Sequence, residues 1–177
     1  MKIHRGDSDQ SPLIFILTEV HPPPEPMTLT LQQQAQQSIA DSVLKNTYLL
    51  IEALKDNYRQ SSIRGHQRSI ENLNYTYETT DSVQSQYHQR KIDDLKSGKC
   101  DIDYTIESGK KYHKVIFVDG GGSRSVHAFV DKNTGEVYKS ASWKSPAKGV
   151  RYDLRLIADR EYLLEKADWA GGYLYAK

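Results

Sequence analysis

The spacing of apolar side chains changes once along this chain, near its middle. In the first half, apolar positions recur every three or four residues, which is the period of a helix with one apolar face. This spacing predicts a helix over residues 30–59, and Thr30 followed by Gln33 gives it a capping box at its start. A second pattern of the same period predicts another helix over residues 66–95, with "SSIRG" at 61–65 as the break between them. The two helices would form an antiparallel hairpin.

After residue 100 the apolar positions alternate, which is the period of a half-buried strand. The segments "KYHKVIFVD", "RSVHAFVD" and "EVYKSASW" all show it, and "KNTG" supplies Asn and Gly for a tight hairpin turn. "DREYLLEKADWAGG" predicts a short helix with Asp159 as its N-cap, and "GGYLYAK" is interpreted as a last edge strand. The predicted fold class is α+β, an N-terminal antiparallel helical hairpin followed by a small antiparallel β-meander with a C-terminal helix.

This change of period also predicts the domain organisation. Residues 27–99 would be the helical hairpin, and residues 100–177 the small antiparallel sheet domain with its C-terminal helix. Each helix has only a narrow apolar stripe, and a hairpin of that kind gains from packing against a second copy. We therefore expect a homo-oligomer formed through helices 30–59 and 66–95.

The first 26 residues differ from the rest of the chain. They end in "HPPPEP", a stiff polyproline segment that terminates any preceding structure. We expect residues 1–26 to be a poorly ordered, proline-rich segment. Two interpretations stay open, namely that Met27 is the natural start, or that a short strand at 13–17 is tethered by the proline linker.

Composition narrows the classes of protein to consider. The chain has 177 residues, 37% of them hydrophobic, and a net charge of +1, so the total charge favours no partner. Its one cysteine, Cys100, excludes a disulfide framework and a cysteine-based zinc site within one chain. No apolar run approaches the roughly 20 residues of a membrane span, and the short run near the start is no signal peptide. The sequence predicts an intracellular, soluble protein without membrane contact.

No arrangement typical of catalysis is found in the sequence. The six histidines have no i, i+4 pair, no G-x-S-x-G elbow occurs, and the acids of "DIDY" are too few for a two-metal site. His113 and His127 lie on adjacent predicted strands and could face each other, but most such pairs are incidental. We therefore expect a non-enzymatic protein with no catalytic residues, no metal and no cofactor.

The glycine-rich stretch "DGGGSRS" at residues 119–125 invites comparison with phosphate-binding loops. Those loops run from a strand through glycines into a helix, whereas two predicted strands flank this one. The stretch also matches neither the dinucleotide fingerprint nor the Walker pattern. We interpret it as a flexible hairpin tip. The alternative is a loop whose amides and Arg124 hold an anion.

Positive charge is concentrated around and after this stretch. Between residues 110 and 155, ten Lys and Arg stand against four Asp and Glu, an excess of six charges. Aromatic side chains are interleaved with them, and flat rings beside cations suit stacked bases and phosphates. The alternative is a solvated sheet face whose lysines protect edge strands. In the first interpretation Lys144, Lys148 and Arg151 contact phosphates, Trp143 and Tyr152 stack on bases, and Arg124 assists.

The same part of the chain resembles a known group of proteins. "SVHAFVDKNTGEVYKSASWKSPAKGVRYDL", followed by "ADWAGGYLY", resembles an uncharacterised family of small proteins encoded by tailed bacteriophages. The resemblance covers about residues 111–177 and leaves the helical half outside. It implies no activity and no catalytic residues, but it implies a phage protein in the cytoplasm of a bacterial host or in the virion.

Together these observations favour a non-enzymatic, phage-encoded binding protein. Its ligand would be anionic, with nucleic acid as the first choice, bound through a basic aromatic sheet and loop surface. One alternative is a structural or assembly protein that acts through the helical hairpin. Another is a protein that sequesters a small signalling nucleotide.

Overall fold

A computed structural model describes residues 29–77 and 82–175, so the expectations for residues 1–26 and Met27 lie outside the described residues. In this part the chain forms α1 (Leu31–Tyr77), α2 (Val83–Lys96), β1 (Asp103–Ser108), β2 (Tyr112–Val118), β3 (Arg124–Asp131), β4 (Glu136–Lys139), β5 (Tyr152–Asp153), α3 (Ile157–Lys166) and a short 3-10 helix (Gly172–Tyr175). The strands pair antiparallel in chain order as one sheet. The predicted α+β fold, with helices first and a C-terminal helix after the meander, is confirmed.

Helix α1 begins at the predicted capping box. The backbone N–H of Thr30 donates to Gln33 Oε1 at 2.8 Å, and the N–H of Gln33 donates to Thr30 Oγ1 at 3.3 Å. The two side chains therefore satisfy two backbone amides at the helix start, which have no partner within the helix.

The predicted break at residues 61–65 is wrong. Helix α1 runs through Gly65 as a single element of 47 residues and ends at Tyr77. Gly65 is exposed and costs about 1 kcal/mol relative to alanine, a penalty that a helix packed along its length tolerates.

The second helix is correspondingly shorter than residues 66–95. Helix α2 begins at Val83, where the Ser82 side chain caps it by accepting the N–H of Ser85. It packs antiparallel on the distal half of α1, with Ile92 and Leu95 buried and with His88 Nδ1 at 2.8 Å from His66 Nδ1. The two helices pack as a hairpin, but the second begins at Val83 rather than at residue 66.

The proximal half of α1 packs on the sheet. Val43, Leu50 and Leu54 are fully buried in one cluster with apolar residues of the strands and of α3, including Val115, Ala128, Val130, Val137, Leu154 and Leu163. Asn46 Nδ2 donates to Leu154 O at 3.1 Å inside this cluster. Over these residues the apolar stripe of α1 is thus covered by the chain's own sheet. The homo-oligomer stays a prediction.

The two acids of "DIDY" join the helices to the sheet. Lys91 Nζ lies 3.1 Å from Asp101, and Lys55 Nζ lies 2.7 Å from Asp103. The hydrogen bond from Lys55 also holds the pKa of Asp103 below its usual value. Each carboxylate is paired with a helix lysine.

Two predictions for the C-terminal segment are wrong. Helix α3 has Leu156 rather than Asp159 as its N-cap, because the Asp159 carboxylate accepts the N–H of Asp153 at 3.0 Å instead. Within "GGYLYAK", Gly172–Tyr175 form a short 3-10 helix rather than an edge strand. The Asp168 carboxylate accepts the N–H groups of Gly172 and Tyr173, which fixes this turn.

The glycine-rich stretch is the tip of the β2–β3 hairpin, as predicted. Asp119 Oδ1 accepts the N–H groups of Gly121 at 2.9 Å and of Ser123 at 2.8 Å, so the chain's own carboxylate occupies these amides. A Cβ on Gly120 would lie 2.8 Å from the backbone oxygen of Asp101, and Gly122 has a φ of 81°. Two of the three glycines are therefore required, one by close approach and one by conformation.

The tip gives a graded stability prediction. We expect Gly120→Ala to lower the free energy of unfolding by about 1–3 kcal/mol through a backbone clash, and Gly122→Ala by about 1–2 kcal/mol through strain. Gly121→Ala is the matched control and should cost less than about 1 kcal/mol, because a Cβ there comes no closer than 3.4 Å to another residue. Urea denaturation of the three variants measures this order. Equal losses in all three would contradict it.

Candidate functional site

The structure brings together Trp143 and Arg124, two of the candidate residues named from the sequence. The loop after β4 folds back on the sheet, with Ser140 bridged to Pro146 and the N–H of Ala147 donating to Lys139 O. This places the Trp143 ring beneath two cations, with Lys114 Nζ at 5.5 Å and Arg124 Cζ at 5.6 Å from its centroid. Trp143 is still 40% exposed. Cations over a solvent-accessible indole form a cation–π cluster.

Arg124 has a second partner that limits its charge. Its guanidinium forms an ion pair with Glu107 of β1. Strand β2 lies between β1 and β3, the strand that carries Arg124. The cluster therefore holds two positive charges and one negative charge around one ring. Lys114 forms no ion pair within 4 Å among the described residues, although Glu107 is its cross-strand partner in the β1–β2 register, so its ammonium is less neutralised than the Arg124 guanidinium.

Lys144 and Lys148 lie exposed on the same loop. Ser142 Oγ accepts the N–H groups of Lys144 at 3.3 Å and of Ser145 at 3.2 Å, which shapes the loop tip next to Trp143. Lys144 therefore extends the positive surface directly from Trp143. Lys148 follows several residues later on the way to β5.

The remaining two candidates hold the structure together. Tyr152 is only 2% exposed, and its hydroxyl donates to Tyr173 O at 2.9 Å, so the predicted stacking of Tyr152 on a base is wrong. Its position in β5 points the ring into the core. Arg151 donates from Nε to Leu174 O at 2.8 Å and from Nη1 to Gly149 O at 3.2 Å. Arg151 thus secures the C-terminal 3-10 turn, and phosphate contact would have to compete with these bonds.

Sequence reasoning missed a cleft on this domain. Strand β4 pairs with β3 only over Ala128–Val130 of β3, so the preceding residues of β3 have no β4 neighbour. The resulting gap is a cleft of about 400 Å³. The cleft residues are Phe117, Ser125, Val126, His127, Lys139, Ser140, Trp169, Ala170, Gly171, Leu174 and Tyr175.

His127 lies at the inner side of this cleft. Its Nε2 is 3.1 Å from the hydroxyl of Tyr173, and its ring contacts the rings of Tyr173 and Tyr104. Burial lowers the pKa of His127 to about 4, so the imidazole is neutral near pH 7. The suggested pair with His113 does not form, because His113 Nδ1 instead lies 2.7 Å from Ser108 Oγ.

One signal in the sequence marks the cleft wall. Gly171 has a φ of 83°, and a Cβ there would lie 3.4 Å from His127 Cε1. The adjacent glycines of "ADWAGGYLY" therefore allow the C-terminal turn to approach β3 closely. Because an edge strand was predicted for "GGYLYAK", the close approach of these glycines to β3 was not predicted.

The structure also limits the other kinds of site. Within residues 29–77 and 82–175, no three His, Cys, Asp or Glu side chains are grouped so that they could hold a metal ion. In the same part of the chain no helix has the length and apolar character needed to cross a membrane.

Comparison with known proteins places the whole described chain in one family. No curated protein and no solved structure matches the chain. The match found, to a family of unknown function, covers residues 28–176. It includes both helices as well as the sheet, whereas the resemblance to bacteriophage proteins covered only the C-terminal part, and phage origin stays a prediction. The chain belongs to the family of unknown function DUF7717.

Proposed function

We propose that this protein binds single-stranded nucleic acid on the sheet surface that carries Trp143. The observation that carries the proposal is the cluster of Lys114 and Arg124 over a 40% exposed indole. An exposed ring offers a stacking platform for one base, and such stacking contributes about 1–3 kcal/mol. The flanking cations are placed to neutralise the phosphates on either side. A base inside a duplex is already stacked, so the arrangement favours an unpaired strand.

A second cation–aromatic pair extends the surface along β2. Tyr112 and Lys114 are alternate residues of one strand and so share a face of the sheet. Lys111 Nζ lies 5.1 Å from the centroid of the Tyr112 ring and 3.6 Å from the Asp131 carboxylate. The Tyr112 ring contacts the rings of Phe129 and Tyr138, which keep it in place. A strand crossing from Trp143 to Tyr112 would therefore meet two rings with a lysine beside each.

The first test uses the fact that the chain has two tryptophans. Trp169→Phe leaves Trp143 as the only tryptophan, so its emission, excited selectively over that of the tyrosines, reports on the proposed surface during titration with a short oligothymidine. We expect quenching at low salt and a steep loss of affinity as salt rises, since binding releases counterions. An unchanged Trp143 signal at low salt would overturn the proposal.

Charge variants give the sharper prediction. We expect Lys114→Met to weaken oligothymidine binding about tenfold and to reduce the salt slope by about 0.7. Glu107→Gln should strengthen binding, because it removes the negative charge beside Arg124 and frees its guanidinium. Lys96→Met, at an exposed position in the last turn of α2, is the matched control. The proposal fails if Lys114→Met behaves like this control or if Glu107→Gln weakens binding.

We propose as a second candidate that the protein assembles through α1. The outward side of this helix carries a nearly apolar groove formed by Leu44, Tyr48 and Leu49. Its borders are charged, with Lys45 and Glu52 among them. In an antiparallel pair centred on Tyr48 and Leu49, Lys45 faces Glu52 of the second copy, because both are equally distant from that centre. This match of Lys45 with Glu52 favours self-association, although the same pairing sets Asp41 against Asp56 of the second copy.

A charge swap tests this second candidate. Lys45→Glu should shift sedimentation equilibrium from dimer toward monomer, because it sets two carboxylates against each other. Combining Lys45→Glu with Glu52→Lys should restore the dimer. A wild-type protein that sediments as a monomer, or a double variant no better than the single one, would contradict it.

A further inference from the structure

The cleft between β3 and the C-terminal turn is built from parts that are distant in sequence. One wall is the part of β3 that precedes Ala128 and does not pair with β4. The other wall is formed by Trp169, Gly171 and the 3-10 helix. Alternate residues of an unpaired strand segment direct backbone N–H and C=O groups sideways, away from β2. The cleft therefore offers backbone hydrogen-bonding groups as well as side chains. Its volume, about 400 Å³, lies within the usual range of small-molecule sites.

Aromatic rings dominate the apolar part of the lining. Phe117 is half-buried, while Trp169 is 37% exposed and Tyr175 is 67% exposed. Trp169 is oriented by Tyr58 of α1, whose ring lies edge-on at 5.4 Å. Exposed rings that are held in place provide flat apolar contact at low entropic cost. This part of the cleft fits a planar, aromatic ligand group.

Lys139 supplies positive charge at the rim. Its Nζ lies 3.9 Å from the centroid of the Tyr175 ring, and no carboxylate of the described residues is within 4 Å of it. No acidic side chain is among the residues that line the cleft. An ammonium with an aromatic neighbour and no counterion is suited to an anionic group of a ligand.

His127 supplies a second donor. The Tyr173 hydroxyl is buried with Nε2 of His127 as its partner, so we assign the hydroxyl proton to that bond. The proton of the neutral imidazole is then on Nδ1. This atom has no protein partner among the described residues and lies on the side of the ring near Gly171. Nδ1–H is available to an acceptor atom in the cleft.

From these contacts we infer that the cleft binds a small ligand that has a flat aromatic ring and one anionic group. The ring lies among Trp169 and Tyr175, Lys139 takes the anion, and His127 Nδ1–H donates to a ring or ester acceptor. Nucleoside monophosphates and aromatic carboxylates share this chemistry. The site is separate from the surface at Trp143, and it does not depend on nucleic-acid binding there.

The second tryptophan makes the cleft independently observable. Trp143→Phe leaves Trp169 as the only tryptophan, and its selectively excited emission is followed during titration with ribonucleoside 5′-monophosphates, the matching nucleosides, and benzoate. We expect a response to monophosphate, to benzoate or to both, and weaker binding of nucleosides. A response to both ligands establishes the shared chemistry, and a response to one identifies the source of the ligand. Oligothymidine binding to Trp143 can fail without affecting this result.

Two variants test the assigned contacts. Lys139→Met keeps the aliphatic stem and should weaken monophosphate or benzoate binding roughly tenfold, while Lys96→Met should not. Tyr175→Leu alters an exposed residue of the cleft and should weaken the binding of nucleosides and of monophosphates to the same extent. The inference is overturned if Trp169 responds to no ligand, if nucleosides bind as tightly as monophosphates, or if Lys139→Met matches its control. Circular dichroism of each variant shows that the fold is retained.

Discussion

Replacing Leu54 by alanine should lower the free energy of unfolding by about 2–5 kcal/mol. Leu54 is fully buried in the cluster that joins α1 to the sheet, so the substitution removes packing from both sides of that junction. The loss should appear equally in far-ultraviolet circular dichroism, which follows the helices, and in the fluorescence of Trp169, measured with Trp143 replaced by Phe, which follows the C-terminal segment. Urea denaturation measures both signals.

The control for this experiment is Leu31→Ala. Leu31 is 85% exposed at the start of the same helix, and its loss should change stability little. Coincident transitions would show that helices and sheet unfold as one cooperative unit. If Leu54→Ala shifts the helical signal and leaves the fluorescence transition in place, residues 27–99 and 100–177 are independent domains, as the sequence suggested.

Acidification should destabilise the protein through His127. Burial lowers the pKa of this imidazole from 6.5 to about 4, with Asp168 acting weakly in the opposite direction. Between pH 6.5 and 4, His127 is protonated in the unfolded chain but remains neutral in the folded protein. The free energy of unfolding therefore falls as pH decreases from 6.5 toward 4. The full loss from this group is roughly 3 kcal/mol, the free energy of a shift of that size.

His127→Gln isolates this contribution. The variant should lose less stability than the wild type between pH 6.5 and 4, whatever its stability near neutrality. Above pH 6.5 the two proteins should show the same pH dependence, because the histidine is neutral in both folded and unfolded states there. Parallel curves over the acidic range would show that His127 does not titrate as its buried position requires.

The meander could be predicted from the sequence because its signals are local. Alternating apolar residues fix which face of each strand is buried, and "KNTG" fixes one turn, where Gly135 has the expected positive φ of 76°. Strand β4 is shorter than "EVYKSASW" suggested and ends at Lys139. The loop that follows folds onto the sheet through contacts that the spacing of apolar residues does not predict.

The sequence placed the end of the first helix too early, at residues 61–65, because low helix propensity there is outweighed by packing. "SSIRG" contains a glycine and two serines, yet a helix exposed at Gly65 can include them at modest cost. The better signal was "NYTYETTDS", a run of poor helix formers, and α1 ends within it, at Tyr77. Intrinsic propensity is a weak guide where a neighbouring helix supplies the packing.

The candidate residues were separated by their positions in the fold, which a linear sequence does not give. Trp143 and Arg124 meet because the β4 loop returns over the sheet. Tyr152, close to Trp143 in sequence, points into the core instead. The cleft was missed because its walls, β3 and the C-terminal turn, are more than 40 residues apart.

The unbroken course of α1 through Gly65 has a mechanical consequence. The helix is fixed to the C-terminal segment as far as Asn57 and Tyr58, which contact Trp169, and from there it continues to Tyr77 beside α2. At about 1.5 Å per residue this distal stretch is roughly 28 Å long. Paired helices resist bending, so the stretch should keep its far end at a set distance from the sheet. A molecule bound near Tyr77 would therefore be held at a constant distance and angle from the sheet.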